Sequence, residues 1–288
     1  MIQQMRSEYP VRELCKIMEI SPSGYYQWLN HREQSAREKS NQILLEKIKE
    51  IHQEKHLACY GSPRMTQELQ NRGYPCSRNR VARLMSEEGI SARHTRKWKP
   101  KTTKQNPRDK ASPNHLKALS KIDSPGKVWV SDITYVFTRS QTYYLAVVMD
   151  LYTRQIMGWS LDSHMESELV LAAVKQAEAR SITTVERIFH SDRGSQYSSH
   201  LIRDHLGKQP YQQSMSALGY CYDNAACESF FATLKKESFP QNQTFENPIE
   251  ARRAIFSYLE SFYNSRRLHS SLGMISPDEF YQLYLQSN

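Results

Sequence analysis

No run of about 18 consecutive apolar residues occurs in this 288-residue chain, so a membrane-spanning helix is not expected. No signal-peptide pattern opens it, and a soluble, cytoplasmic protein is the expectation. Cysteine is scarce and unpatterned. The five thiols, Cys15, Cys59, Cys76, Cys221 and Cys227, are odd in number and form no CxxC pair, which argues against a disulfide framework and for reduced thiols. A zinc knuckle is not expected either. His52 and His56 precede Cys59 and Cys76, but the two cysteines are too far apart in sequence. No heptad pattern is sustained through residues 1–50, so no zipper is expected there.

Acidic residues are in short supply in one part only. Residues 1–126 carry 24 Lys/Arg against 13 Asp/Glu, a net of +11, whereas residues 127–288 carry 15 against 17, a net of −2. Such asymmetry implies a polyanion-binding arm attached to a body with a different task.

The arm reads as helices. In "VRELCKIMEISPSGYYQWLNHR" an apolar stripe of Val11, Leu14, Cys15 and Met18 marks one helix. Ser21 can cap the next, with Pro22 at its first position. In "SPRMTQELQNRGYPCSRNRVARLMSEEGI" Gly73 closes a helix, Ser77 caps another and Gly89 ends it. Two such pairs, with Arg78, Arg80 and Arg83 on the later helix, suggest DNA-binding helix-turn-helix units, although a plain helical bundle shares the pattern. Residues 93–110 hold eight basic residues and one acid, and Pro100 and Pro107 oppose a continuous helix. This is a basic linker whose Arg96, Lys97, Lys99, Lys101 and Lys104 suit a phosphate backbone.

Beyond residue 126 the period changes. "KVWVSDITYVF" and "TYYLAVVMDLYTRQIMGWSL" suggest three successive strands with turns near 138–141 and 151–154. "ESELVLAAVKQAEAR" is helical, "VERIFHSD" a short strand, "SSHLIRDHLGKQ" helical, "YQQSMS" a strand, and "CYDNAACESFFATLKKE" a helix whose start Asp223 and Asn224 can cap. The order βββαβαβα implies a mixed sheet with helices on its faces. Residues 247–288 read as helical, with a capping-box start at Ser276, Pro277 and Glu279.

Three acids fall where this order brings side chains to one sheet edge: Asp132 within the first strand, Asp192 just past the fourth, and Glu228 on the helix after the fifth. Asp132 sits in an apolar strand, where an unpaired charge is costly. Three gathered carboxylates need cations, and oxygen-only ligands favour Mg²⁺ or Mn²⁺. Two such ions can clamp a phosphodiester. Lys235 lies seven residues after Glu228, on the same helix face, and could meet a DNA phosphate. Solvated surface acids and a solvated helix face are the plain alternatives.

"WVSDITY", "HSDRGSQY" and "CYDNAACESFFATLKKE" resemble the DDE signature of insertion-sequence transposases of the IS-three family. "YLESFYNSRRLHSSLGMISPDEF" resembles the segment that closes their catalytic region, and "YGSPRMTQELQNRGY" and "RVARLMSEEGI" resemble their front helices. The likeness covers nearly the whole chain and matches the second reading frame (OrfB) of that family. It implies an α/β RNase H-like core of the retroviral integrase type, preceded by an all-α helix-turn-helix region. It further implies that Asp132, Asp192 and Glu228 form a two-metal triad for Mg²⁺ or Mn²⁺, with Lys235 as basic companion.

The expected activity is metal-dependent DNA strand cleavage and 3′-hydroxyl joining on double-stranded element ends and target DNA. A homo-oligomer on the bacterial nucleoid is implied, together with an upstream-frame (OrfA) product or fusion. The chain departs from the family where Ala217 and Leu218 follow "SMS", a place where basic residues are frequent. The expected division is residues 1–57 and 58–92 as helical DNA-binding units, 93–121 as linker, 122–240 as catalytic core and 241–288 as closing segment. A DNA-binding regulator without chemistry is the rival reading. Three further features are open at this stage. His190 and Ser191 could shape the metal site or touch DNA. Asp150 could be a fourth acid or a strand-end acid. Arg266, Arg267 and His269 could contact DNA or form a solvated face.

Overall fold

The computed structural model describes residues 2–31, 35–92, 112–116, 119, 121–181, 186–216 and 225–287, with residues 30 and 31 by backbone alone. The chain forms two compact units, Met1–Ser91 and Ala92–Asn288. Among the described residues no helix is long and apolar enough to cross a membrane.

The first unit is helical. Helices α1 (Ile2–Met5), α2 (Val11–Ile17) and α3 (Pro22–His31) share a small core of Ile2, Leu14, Cys15 and Tyr25. Ser21 caps α3 as its sequence suggests, its Oγ accepting from the Gly24 N–H at 3.0 Å. Helix α4 (Ala36–Gln53) opens with a capping box: Glu38 N–H donates to Ser35 Oγ at 3.2 Å and Ser35 N–H to Glu38 Oε2 at 2.7 Å. Its buried stripe, Leu44, Ile48 and Ile51, has helical spacing. That helix packs on α5 (Ser62–Asn71) and α6 (Arg78–Glu87). The division expected at residues 57/58 therefore runs through a packed three-helix group. Gly73 and Gly89, at φ +83° and +66°, adopt the left-handed conformation that ends α5 and α6.

The second unit is built on a sheet with strand order β3-β2-β1-β4-β5. Strands β1 (Val128–Thr138), β2 (Thr142–Asp150) and β3 (Ile156–Asp162) form an antiparallel meander. Strands β4 (Arg187–Ser191) and β5 (Tyr211–Met215) continue it in parallel, and β6 (Thr244–Phe245) pairs with the far end of β1. Helix α7 (Ser167–Arg180) connects β3 to β4, while α8 (Ser195–Ser198) and α9 (His200–Gly207) connect β4 to β5. Parallel neighbours require such crossovers.

These helices bury Trp129, Ala146, Val148, Phe189, Tyr197 and Met215 in one core cluster. At Gly158 a Cβ would strike the α7 backbone at Ala173 and Ala177, so only glycine lets that helix lie against β3. Helices α10 (Ala225–Ser238) and α11 (Pro248–Tyr258) pack on β1. Strand alternation assigns them the face opposite α7. Helix α12 (Pro277–Ser287) ends the fold, with Glu279 N–H on Ser276 Oγ at 3.2 Å as the capping signal suggests.

Two basic residues expected at the surface are interior. Arg267, 3% exposed, makes a bidentate pair with Glu237 of α10, both bonds 2.7 Å, and donates to His269 Nε2 at 3.2 Å. Tyr258 O–H donates to the same carboxylate at 2.6 Å. Neither Arg267 nor His269 is available for DNA, because Glu237 holds the guanidinium inside. Arg266 is exposed.

Candidate active site

Strand register brings the two aspartates together. β1 and β4 are paired in parallel from Val128↔Ile188 to Val130↔His190. Asp132 continues β1 two residues past that pairing, Asp192 directly follows the end of β4, and the Asp192 charge is felt at Asp132. Asp132 Oδ1 accepts from the Ile133 N–H at 2.8 Å, and Asp192 Oδ1 from the Gly194 N–H at 3.0 Å. Behind them, the buried Tyr197 hydroxyl shares a 2.9 Å hydrogen bond with Ser131 Oγ, which itself donates to the Val147 carbonyl at 2.8 Å. His190 is fully buried between Ser214 Oγ at 2.9 Å and Ser216 Oγ at 3.1 Å. It fixes the ends of β4 and β5 from inside and cannot touch DNA, which settles one of the open sequence readings.

Helix α10 completes the cluster. Cys227, Phe230, Phe231 and Leu234 are buried, as their spacing suggests, while Glu228 is exposed and Lys235 half-buried. The Phe230 ring meets Tyr263 edge-on at 4.9 Å. Gln243 Nε2 donates to the Lys235 carbonyl at 3.3 Å and steadies the last turns.

The electrostatics describe one coupled site. Burial, then the Asp192 charge and, more weakly, Glu228, push the Asp132 carboxyl up to about 8; the Ile133 N–H and Lys235 oppose the shift. Burial also raises Asp192, against the Gly194 N–H. Burial lowers Lys235, and Asp132 pulls it back up. Asp132 thus feels all three partners that the sequence singled out. Among the described residues, no three His, Cys, Asp or Glu side chains converge closely enough to hold a metal ion as they stand.

The remaining sequence candidates divide. Asp150 is a structural acid. Its carboxylate accepts from the N–H groups of Gly126 at 2.6 Å, Tyr152 at 3.0 Å and Thr153 at 2.8 Å, and from Thr153 Oγ1 at 3.0 Å. Arg78 is exposed. Arg80 ties α6 to α4, with Nε on Asn41 Oδ1 and Nη2 on Ser40 Oγ, both 2.8 Å. Arg83 is paired with Glu87 at 2.7 Å. Arg96, Lys97, Lys99, Lys101 and Lys104 lie outside the described residues, as do Ala217, Leu218, Asp223 and Asn224.

Sequence reasoning missed the Tyr197–Ser131 support. It also missed the covering of β5, where the Met215 N–H reaches the Pro113 carbonyl at 3.3 Å and Ser214 Oγ accepts from the His115 N–H at 2.9 Å. No local pattern announces either; both depend on distant partners.

Family models agree with this arrangement. An integrase core domain matches residues 123–221, a second integrase core model matches 209–277, and an HTH-like domain matches 39–98. Fold, acidic site and these matches define an enzyme of the DDE transposase and integrase class. The chain is 39% identical over 250 residues to the transposase for insertion sequence element IS904 of Lactococcus lactis, covering 87% of this chain and 98% of the relative. It is 34% identical over 284 residues to transposase InsF for insertion sequence IS3 of Escherichia coli, covering 97% and 96%. The catalytic core domain of BIV integrase superposes on 56% of this chain and 96% of its own, with TM-score 0.41 and 15% identity. The chain belongs to the IS-three family of insertion-sequence transposases, as its second-reading-frame (OrfB) type.

Proposed function

We propose that this transposase cuts and joins DNA strands at the Asp132–Asp192–Glu228 cluster, with Mg²⁺ or Mn²⁺ as cofactor. The observation that carries the reading is the crowding of like charge at Asp132. A carboxyl pushed to about 8, first by burial and then by its acidic neighbours, is a site that a hard cation would neutralise, and the donor set is all oxygen. Asp132, Asp192 and Glu228 would be the ligands, drawn inward from their present spacing. Bound there, two ions would supply Lewis-acid stabilisation of the phosphodiester oxygens and an activated water or 3′-hydroxyl.

The chain's own groups orient the reaction. The rigid β1–β4 pair fixes the two aspartates, and α10 brings Glu228 and the Lys235 ammonium to the same place. Lys235 would hold a non-bridging phosphate oxygen beside the reacting bond. In cleavage, water forms a new P–O bond and the element's 3′-oxygen leaves as a hydroxyl. In joining, that hydroxyl attacks a target phosphodiester, and the target's 3′-oxygen leaves. Residues 1–92 and the basic linker 93–121 would hold the duplex, ahead of the core at 122–240 and the closing segment at 241–288. Arg78 is the exposed candidate on α6; Arg96, Lys97, Lys99, Lys101 and Lys104 would follow the phosphates. The active species would be an oligomer on the bacterial nucleoid, joined to an upstream-frame (OrfA) partner or fusion.

The test uses labelled element-end duplex with Mn²⁺, with and without a fused upstream frame. Asp132→Asn, Asp192→Asn and Glu228→Gln should each abolish cleavage and leave duplex binding nearly intact. A variant that still cleaves at the wild-type rate would remove its residue from the site. Wild-type binding with no cleavage under any of these conditions would favour the regulator reading.

A further inference from the structure

Arg154 ends the turn between β2 and β3, a position outside the acidic cluster. Its φ of +64° lies in the left-handed region, where side chains with a Cβ are strained and glycine is the favoured residue. The turn is held rigidly. Asp150 accepts four hydrogen bonds from its surroundings, and the Arg154 N–H donates to the Asp150 carbonyl at 2.9 Å. Among the described residues the Arg154 guanidinium makes no hydrogen bond and no ion pair. A strained backbone thus presents a cation with no hydrogen-bond or ion-pair partner among the described residues.

The turn is also linked to the catalytic helix. Two residues on, Ile156 is clamped by Asn264, with N–H to Oδ1 at 2.9 Å and Nδ2 to carbonyl at 3.0 Å. The preceding Tyr263 lies against Phe230 of α10. The positive charge of Arg154 is felt at Tyr263 and at Cys227, the residue before Glu228. The Arg154 turn is thus tied, through Asn264 and Tyr263, to the helix that carries Glu228.

We propose that Arg154 is a phosphate clamp that grips a backbone phosphate of the DNA strand entering the Asp132–Glu228 site. A guanidinium is suited to this because it is always charged and can present two N–H groups to one phosphate. A single ammonium, Lys235, fixes a point, whereas a second cation at a separate position would fix the strand's direction. The inference rests on the proposed strand-cleavage reading and adds to it a specific contact.

The backbone conformation supplies a sharp test. Arg154→Gly removes the side chain and suits the φ, so the melting temperature should hold or rise. Loss of one charged phosphate contact should slow cleavage of element-end duplex roughly ten- to hundredfold. It should also make the salt dependence of end-duplex binding shallower by about 0.9 in log–log slope. Arg154→Lys should restore the slope and only part of the rate. The slope is measured in an Asp132→Asn background as well, so it reads the contact without turnover. If the wild type itself fails to cleave, the strand-cleavage reading fails, and the slope still decides Arg154. A lowered melting temperature in Arg154→Gly would make the residue structural and overturn the proposal. So would wild-type cleavage with an unchanged slope.

Discussion

Asp132 and Asp150 occupy neighbouring strands of one ladder, where Trp129 pairs with Asp150 and Asp132 with Val147. Burial raises the pKa of both carboxyls. Their surroundings then diverge. Asp150 has four donors, all from its own turn and from Gly126. Among the described residues Asp132 has one backbone donor, two carboxylates that repel it and one partly buried lysine. The first acid is satisfied by the fold and the second is not. An acid left with unused acceptor capacity beside like charges is poised for something the fold does not contain. Residue type and strand position are shared; the difference lies in the accounting of hydrogen bonds.

The largest effect should come from removing the unsatisfied charge. Asp132→Asn is expected to lower strand cleavage by at least roughly 10³-fold while leaving the folded state intact or firmer, as judged by thermal melting. A melting temperature that drops sharply in this variant would erase the contrast with Asp150.

Next in size is the opposite exchange. Asp150→Ala strips the Gly126, Tyr152 and Thr153 N–H groups of their shared acceptor and should cost about 3 kcal/mol of stability. Cleavage per folded molecule should fall by roughly tenfold at most, through the loosened Arg154 turn, far less than in Asp132→Asn. Urea unfolding and single-turnover cleavage, taken together, separate these two outcomes.

A pH series sharpens the comparison. The folded Asp132 carboxyl, at about 8, stands above its ordinary value of 3.8, so between those values the folded state holds the extra proton. In chelator, stability should therefore be highest towards pH 5 and fall as pH rises to 8. This one group contributes at most about 1.4 kcal/mol per pH unit. Urea midpoints at pH 5 and pH 8 should show a smaller difference in Asp132→Asn. Parallel pH trends in the two proteins would mean that Asp132 does not carry the strain.

The smallest expected effect lies in the other unit. Ser35→Ala removes half of the α4 capping box and should cost about 1 kcal/mol, read from the helical melt of a protein whose cleavage chemistry per folded molecule is unchanged.

Much of this was legible in the sequence. The β1–β2–β3 meander, the α7, β4, α9, β5, α10 succession and the Gly73, Ser77 and Gly89 helix ends follow from period and turn chemistry. The two-sided character of α10 follows from spacing alone. Where tertiary partners decide, sequence reading stops. Arg267 and His269 sit in a basic run that looks solvent-facing, and only Glu237, thirty residues upstream, draws them inside. Helix α4 carries a visible Ser35-x-x-Glu38 box, yet its polar first turns mask the Leu44–Ile48–Ile51 stripe that joins it to α5 and α6. Arg80 looked like a reader of DNA because nothing local shows that Ser40 and Asn41 engage it. The acid cluster was legible as residues but not as an energetic unit, since its strain arises from burial and mutual repulsion.

The most direct measurement is binding of Mn²⁺ to the full chain, followed by the loss of its free-ion electron paramagnetic resonance signal. Wild type and Asp150→Asn are compared with Asp132→Asn under the same conditions. Neutralisation of the unsatisfied cluster predicts that Mn²⁺ binds the first two proteins alike and is lost from the third. Equal binding by all three, or loss from the Asp150 variant alone, would contradict the assignment of the cluster as the metal-dependent centre.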